Sequence, residues 1–150
     1  MLWVKTFFGI LFQTILLGIF LYLPALTLNW PDAFLLLTIH FLMTILASAY
    51  LLIVKPESIE ARMNYDSKTQ PKEDRLATAL MFSAIIVGLS LAPIDIFHLN
   101  LSSSFEGSIK NVGLAIYIIG MLLFMASINA NEFAETTVNI QEERGQKVID

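Results

Sequence analysis

Charged side chains divide this sequence into four long apolar runs. The first is uncharged from Thr6 to Pro31, with its apolar heart at Phe7 to Leu28, and the second runs from Ala33 to Val54 between Asp32 and Lys55-Pro56. The third, Leu76 to Ile94, lies between Arg75 and Asp95, and the fourth, Asn111 to Asn131, between Lys110 and Glu132. A helix crosses ~30 Å of hydrocarbon with ~20 apolar residues, and all four runs reach about that length. The pattern therefore predicts an all-α, multi-pass transmembrane bundle of four helices over about 7–28, 33–54, 76–94 and 111–131. A loop at 55–75 and a tail at 132–150 complete a single membrane domain. The first run exceeds the ~7–15 residues of a signal-peptide core and has no small-x-small cleavage site, so it reads as a retained helix. Asn29-Trp30-Pro31-Asp32 leaves room only for a tight turn. Pro31 suits the start of the second helix and Trp30 the lipid headgroup level, which makes the first two spans an antiparallel hairpin.

Composition agrees with lipid as the solvent. The 150 residues are 56% hydrophobic and 15% charged, against ~45–50% and ~25% for soluble domains. The absence of cysteine rules out disulfides, thiolate metal sites and thiol nucleophiles, and a net charge of −4 argues against nucleic acid as a partner. Lys5, Lys55, Arg62, Lys68, Lys72, Arg75, Arg144 and Lys147 fall on one side of four spans and only Lys110 on the other. The positive-inside rule then places both termini and the 55–75 loop in the cytoplasm.

Helices in lipid associate through close approach at small residues and through polar contacts. Ala84, Gly88 and Ala92 form one small-residue stripe, and Gly113, Gly120 and Ser127 another. Both are expected to face neighbouring helices. Gln13 and His40 are the strongly polar residues deep in the first two spans. Gln13 reads as a hydrogen-bonding link between helices, and His40 as an interior hydrogen-bonding group in preference to a ligand or proton relay. Asp95 and His98, three apart, are too few for a zinc site and suit an interfacial loop. The 55–75 loop holds five cations and five carboxylates, so it is no polybasic lipid clamp. Within it, Glu57 and Glu60 read as a solvated face in preference to an acid–base pair. The sequence shows no Gly-rich phosphate loop, nucleophile elbow or metal motif, and thus no catalytic residue from spacing alone.

After the fourth span the chain turns polar. Val138 and Ile140, then Val148 and Ile149, flank the turn Glu142-Glu143-Arg144-Gly145, a pattern of extended structure or a short hairpin that ends as if mid-element. Three segments together resemble the isoprenylcysteine carboxyl methyltransferase family. They are Lys55-Pro56-Glu57-Ser58-Ile59-Glu60-Ala61-Arg62-Met63, the approach Glu73-Asp74-Arg75 to the third span, and Asn131 with Val138-Asn139-Ile140-Gln141 and Gly145-Gln146-Lys147-Val148-Ile149-Asp150. In that family the last segment leads into Thr-Gly-Pro-Tyr and an Arg-His-Pro motif, neither of which is present in these 150 residues.

The resemblance implies a membrane enzyme that uses S-adenosylmethionine to methylate a carboxylate of a prenylated or otherwise hydrophobic substrate. It covers the front of the family's fold, so the 150 residues alone are expected not to turn over. It also implies cofactor contact by Gln141, Gln146, Lys147, Val148 and Ile149. A glutamine amide and backbone groups can read a nucleoside edge while Val148 and Ile149 cover its face. The alternative left open is a non-catalytic four-helix membrane protein that binds a lipid or a partner subunit, in which the same residues merely cap the helix exit.

Overall fold

The structure, a computed structural model, describes residues 1–63, 72–101 and 107–130, with side chains in the third span from Arg75 onward. Its elements are α1 (Leu2–Ala25), α2 (Pro31–Val54), a short α3 (Pro56–Met63), α4 (Lys72–Ile94), a π-helical turn (Asp95–Leu99) and α5 (Gly107–Ala130). Four of the helices are long and apolar enough to cross a membrane, the architecture of an integral multi-pass protein. A 24-residue helix such as α1 spans about 36 Å at ~1.5 Å per residue.

The helix boundaries have local causes. The first helix begins at Leu2 and stops at Ala25, ahead of the expected Leu28, because Leu26 adopts left-handed backbone (φ 53°) and its N–H turns back to the Leu23 carbonyl. The Asn29 N–H then donates to Thr27 Oγ1 and the Trp30 N–H to the Leu28 carbonyl. Pro31 opens α2, where its missing N–H costs nothing. At the other end of α2, Lys55 precedes Pro56, which biases it out of the helical region, and it lies at φ −144°. The chain bends at this elbow and restarts as α3, with Glu57 in its first turn and Arg62 in its last, the order the helix dipole favours. The 55–75 segment, expected as a loop, is thus helical over Pro56–Met63 and again from Lys72, where α4 begins ahead of the expected Leu76.

Pro93 sits inside α4 and cannot donate to the preceding turn. Two residues later the winding widens to the π turn, which closes with the Asn100 N–H on the Asp95 carbonyl at 2.7 Å. Asn100 takes the left-handed conformation (φ 51°) that asparagine tolerates. Residues 95–99, expected as interfacial loop, therefore prolong the third helical segment.

The spanning helices pack in the order α4, α1, α2, α5. Substantial interfaces join α1 to α2, α1 to α4 and α2 to α5. The buried residues of α1 are Thr6, Ile10, Leu21 and Ala25, which share one stripe, and those of α2 are Ala33, His40, Leu51 and Leu52. Contacts at both ends of the helices set their directions: α2 and α5 run parallel, and α1 and α4 run parallel in the opposite sense. We call the end holding Met1, α3 and the exit of α5 proximal, and the end holding the α1–α2 turn and the π turn distal. Most apolar side chains remain exposed, as expected where lipid tails solvate the outer faces.

Candidate functional site

Polar side chains in this scaffold gather at three levels. In the middle of the span, His40 Nδ1 on α2 lies 2.6 Å from the Tyr117 hydroxyl on α5. His40 is 7% exposed, and its Nε2 has no hydrogen-bond partner among the described residues. In one tautomer the phenol donates to Nδ1 and Nε2–H is left over. In the other Nδ1–H donates and Nε2 is a bare acceptor. The expected interior hydrogen bond of His40 is present, and only half of the ring's capacity is used.

The distal end holds an aromatic group. Trp30 packs edge-to-face against Tyr22 and Phe97, with centroids 6.3 and 5.3 Å apart, and the Tyr22 hydroxyl donates to the Trp30 carbonyl. His98 Nε2 lies 2.7 Å from the Pro24 carbonyl near the end of α1. A carbonyl only accepts, so Nε2 carries the proton. Asp95 Oδ1 accepts the Leu101 N–H at 2.8 Å. The two residues weighed as a metal pair are thus engaged in closing helix ends, and among the described residues no cluster of three or more His, Cys, Asp or Glu occurs. Lys110 and Asp32 form an exposed ion pair at 2.6 Å that joins the starts of α5 and α2.

At the proximal end, the α2–α3 elbow meets the exit of α5. Leu51, Leu52 and Ile59 form a buried cluster to which Leu2 and Ile128 add, so α1, α2, α3 and α5 converge here. Thr6 Oγ1 reaches Met63 Sδ at 3.7 Å. Lys55 Nζ donates to the Asn129 carbonyl at 2.7 Å, where a helix's last carbonyls lack intrahelical donors. Ser58 is 2% exposed and its Oγ has no partner among the described residues. Glu57 and Glu60 are exposed on α3, as a solvated face requires. A crevice of about 260 Å³ opens between α2 and α5 beside Tyr50, Met125 and Asn129. A larger concavity of about 520 Å³ lies along the outer side of α1 toward Leu28, at the distal end and remote from α3.

Two expectations for the helix faces differ from the structure. Gln13 is exposed, so it links no helices among the described residues. Ala84, Gly88 and Ala92 on α4, and Gly113, Gly120 and Ser127 on α5, are likewise exposed, and a Cβ added at Gly88, Gly113 or Gly120 would meet nothing within 4 Å. Instead α5 turns Leu114, Tyr117, Ile118, Met121, Met125 and Ile128 away from the fully exposed side, a seam of three- and four-residue steps that brings Tyr117 to His40. Among the described residues, the glycine with a helix neighbour is Gly18, whose added Cβ would sit 3.5 Å from Leu37 Cδ1.

Gln141, Gln146, Lys147, Val148 and Ile149, the cofactor contacts implied by the resemblance, lie outside the described residues, as does Asn131. Sequence reasoning missed Tyr117 and Lys55 as partners for distant polar groups. A tyrosine facing a mid-span histidine, and a lysine immediately before a proline elbow, were the available signals.

Comparison with protein-family models, with curated protein sequences and with solved structures finds no match to this chain.

Proposed function

We propose that this chain belongs to a membrane-embedded S-adenosylmethionine-dependent methyltransferase similar to the isoprenylcysteine carboxyl methyltransferases, acting on the carboxylate of a lipid-modified or otherwise hydrophobic substrate. The observation that carries this reading is the proximal junction. The Pro56–Met63 segment and the exit of α5, which lead the two longer stretches of family-like sequence, are tied together there by Lys55 and the Asn129 carbonyl at 2.7 Å. Sequence segments 74 residues apart thereby start from one membrane face, as a shared cofactor and substrate site needs.

The cofactor supplies a methyl group already activated on sulfonium, so the protein's work is alignment of the acceptor and exclusion of water. When bound, the cofactor would give up its methyl group to a carboxylate oxygen as its C–S bond breaks, leaving a methyl ester and a thioether with no proton for the protein to move. This suits a chain in which spacing identifies no acid–base pair. Gln141 and Gln146 to Ile149 are the proposed cofactor contacts. The hydrophobic part of the acceptor stays in the bilayer while its carboxylate meets the cofactor at the proximal face.

That face is proposed to be cytoplasmic. Lys5, Lys55, Arg62 and Arg75 lie at the proximal end and Lys110 at the distal end, the asymmetry the positive-inside rule orients. Because the sequence lacks cysteine, single variants test this directly. An impermeant maleimide added to intact cells should label Ser108→Cys, and should label Glu57→Cys only after permeabilisation. The converse pattern would invert the assignment.

The activity is tested with membranes containing the complete gene product, [methyl-³H]S-adenosylmethionine and a farnesylated cysteine acceptor. Base-labile methyl ester in the organic phase is expected. Absence of both ester formation and cofactor binding would refute the reading.

A further inference from the structure

Three polar contacts tie α5 to α2: Lys110 to Asp32 at the distal end, Tyr117 to His40 in mid-span, and the Asn129 carbonyl to Lys55 at the proximal end. Between the last two the interface is open. Ala47 on α2 and Ala126 on α5 both line the crevice of about 260 Å³ there, and two methyl side chains in place of larger ones leave the volume unfilled. Leu51 and Met125 add apolar wall, with Tyr50 beside them and Asn129 at the proximal end. Lys55 lies one turn beyond Leu51, to whose carbonyl its N–H donates, and its Nζ is 2.7 Å from the Asn129 carbonyl. An apolar slot therefore ends on a half-buried ammonium at the point where α2 finishes. A lysine has three donors, and Lys55 forms no ion pair among the described residues, although Glu57 and Glu60 are exposed on the neighbouring α3. Capacity for an anion is left over.

We propose that this crevice binds one anionic phospholipid of the proximal leaflet, with an acyl chain between α2 and α5 and the phosphate on the Lys55 ammonium. The volume falls below the ~300–1,000 Å³ of pockets that enclose drug-sized ligands, so a single flexible chain fits where a ring system does not. Acyl chains bathe these helices on every side, and charge selects among the lipids that carry them. At the end of a spanning helix the ammonium stands at headgroup level and complements a phosphate, and an anionic headgroup brings no cation of its own to compete. Tyr50 lines the same slot at the interfacial depth that suits tyrosine. The elbow that carries Lys55 is fixed by the buried Leu51, Leu52 and Ile59, so the cation is held in place before a lipid arrives. The larger concavity on α1 has no charged residue in its lining and offers no such selection. The inference does not depend on the methyltransferase reading.

The test is native mass spectrometry of the detergent-solubilised complete gene product, titrated with dioleoylphosphatidylglycerol or dioleoylphosphatidylcholine. The first phosphatidylglycerol should bind the wild type about fivefold more tightly than the first phosphatidylcholine, equivalent to the ~1 kcal/mol of one lysine against an anionic headgroup. Lys55→Met and Lys55→Gln should both lose that preference, and Lys55→Arg should keep it. The glutamine variant separates charge from anchoring, because its neutral amide can still donate to the Asn129 carbonyl. Ala126→Phe fills the crevice from α5, leaves Lys55 in place and should abolish the high-affinity first step for either lipid. Gly120→Leu, on the open face of the same helix, should leave both lipids unaffected. Equal affinity of the wild type for the two lipids would overturn the proposal, as would wild-type selectivity in Lys55→Gln or wild-type affinity in Ala126→Phe. So would a lipid-free dimer that Ala126→Phe dissociates, which would assign the crevice to a second copy of the chain. If Ala126→Phe does not accumulate, Ala47→Leu, which fills the slot from α2, is read on the same scale.

Discussion

Replacing Tyr117 by phenylalanine removes one hydroxyl and leaves the aromatic packing in place. The lost contact is the 2.6 Å hydrogen bond to His40 Nδ1, the mid-span tether of α5. Hydrogen bonds between membrane helices are worth ~0.6 kcal/mol on average and up to ~1.7. A buried polar group that loses its partner adds a desolvation cost of ~1–3 kcal/mol in water-soluble proteins. His40 already has one idle nitrogen, so Tyr117→Phe leaves the whole imidazole without a partner. We expect a loss of ~1–2 kcal/mol for this variant, toward the upper part of the membrane range. The same logic gives a sign that simple contact loss does not. His40→Leu combined with Tyr117→Phe removes both partners and the idle nitrogen, so the double variant should be more stable than Tyr117→Phe alone. Reversible unfolding in mixed dodecylmaltoside and dodecyl sulfate micelles, followed by circular dichroism, measures Tyr117→Phe, the single variant His40→Leu and the double variant in one cycle. A Tyr117→Phe stability within ~0.3 kcal/mol of wild type, or strictly additive losses, would refute the view that this pair holds α5.

Other expectations follow from the packing. Ser58→Ala removes a buried hydroxyl that has no partner and should leave thermal stability unchanged or raised; a clear loss would show that the hydroxyl has a partner in the folded protein. Gly120→Leu should change unfolding stability by less than ~0.5 kcal/mol, since its face is open, whereas Gly18→Leu drives a long side chain into Leu37 and should cost ~1–3 kcal/mol. Trp30→Ala deletes two edge-to-face contacts and should cost ~1–3 kcal/mol at ~0.5–1.5 each beyond area. In a Trp3→Phe background, Trp30 fluorescence should be quenched more strongly by bromine near the headgroups than by bromine near the bilayer centre.

The four spans were legible because each run of apolar residues is bounded by charges and matches the thickness of hydrocarbon. Pro31 as a helix start was equally readable, since proline at the first helical position satisfies a local rule. The elbow at Lys55-Pro56 obeyed the same rule, yet the charge-rich sequence around it hid α3, whose single strongly apolar anchor is Ile59. Rotation of each helix about its axis was not legible. Regular spacing of Gly113, Gly120 and Ser127 identifies a stripe but not the direction it faces, and the α2–α5 interface selects the Tyr117 side instead. Gln13 failed as an inward group for the same reason. The pairing of His40 with Tyr117 lies 77 residues apart in sequence, beyond any local pattern. Of the proposed cofactor residues, the expectation came from resemblance, and the described structure reaches only to the helix that leads to them.

The packing order α4, α1, α2, α5 also bears on how such a chain is built. The α1–α2 hairpin, which is synthesised before α4 and α5, supplies both central helices, so it can serve as a template for them as soon as it is inserted, consistent with earlier-synthesised units folding first. The third and fourth spans then attach to opposite flanks of that template and share no substantial interface among the described residues. Neither needs the other to find its place. Damage confined to one flank should therefore leave assembly of the other undisturbed, with energetic effects that add, as in two wings docked independently on one central hairpin.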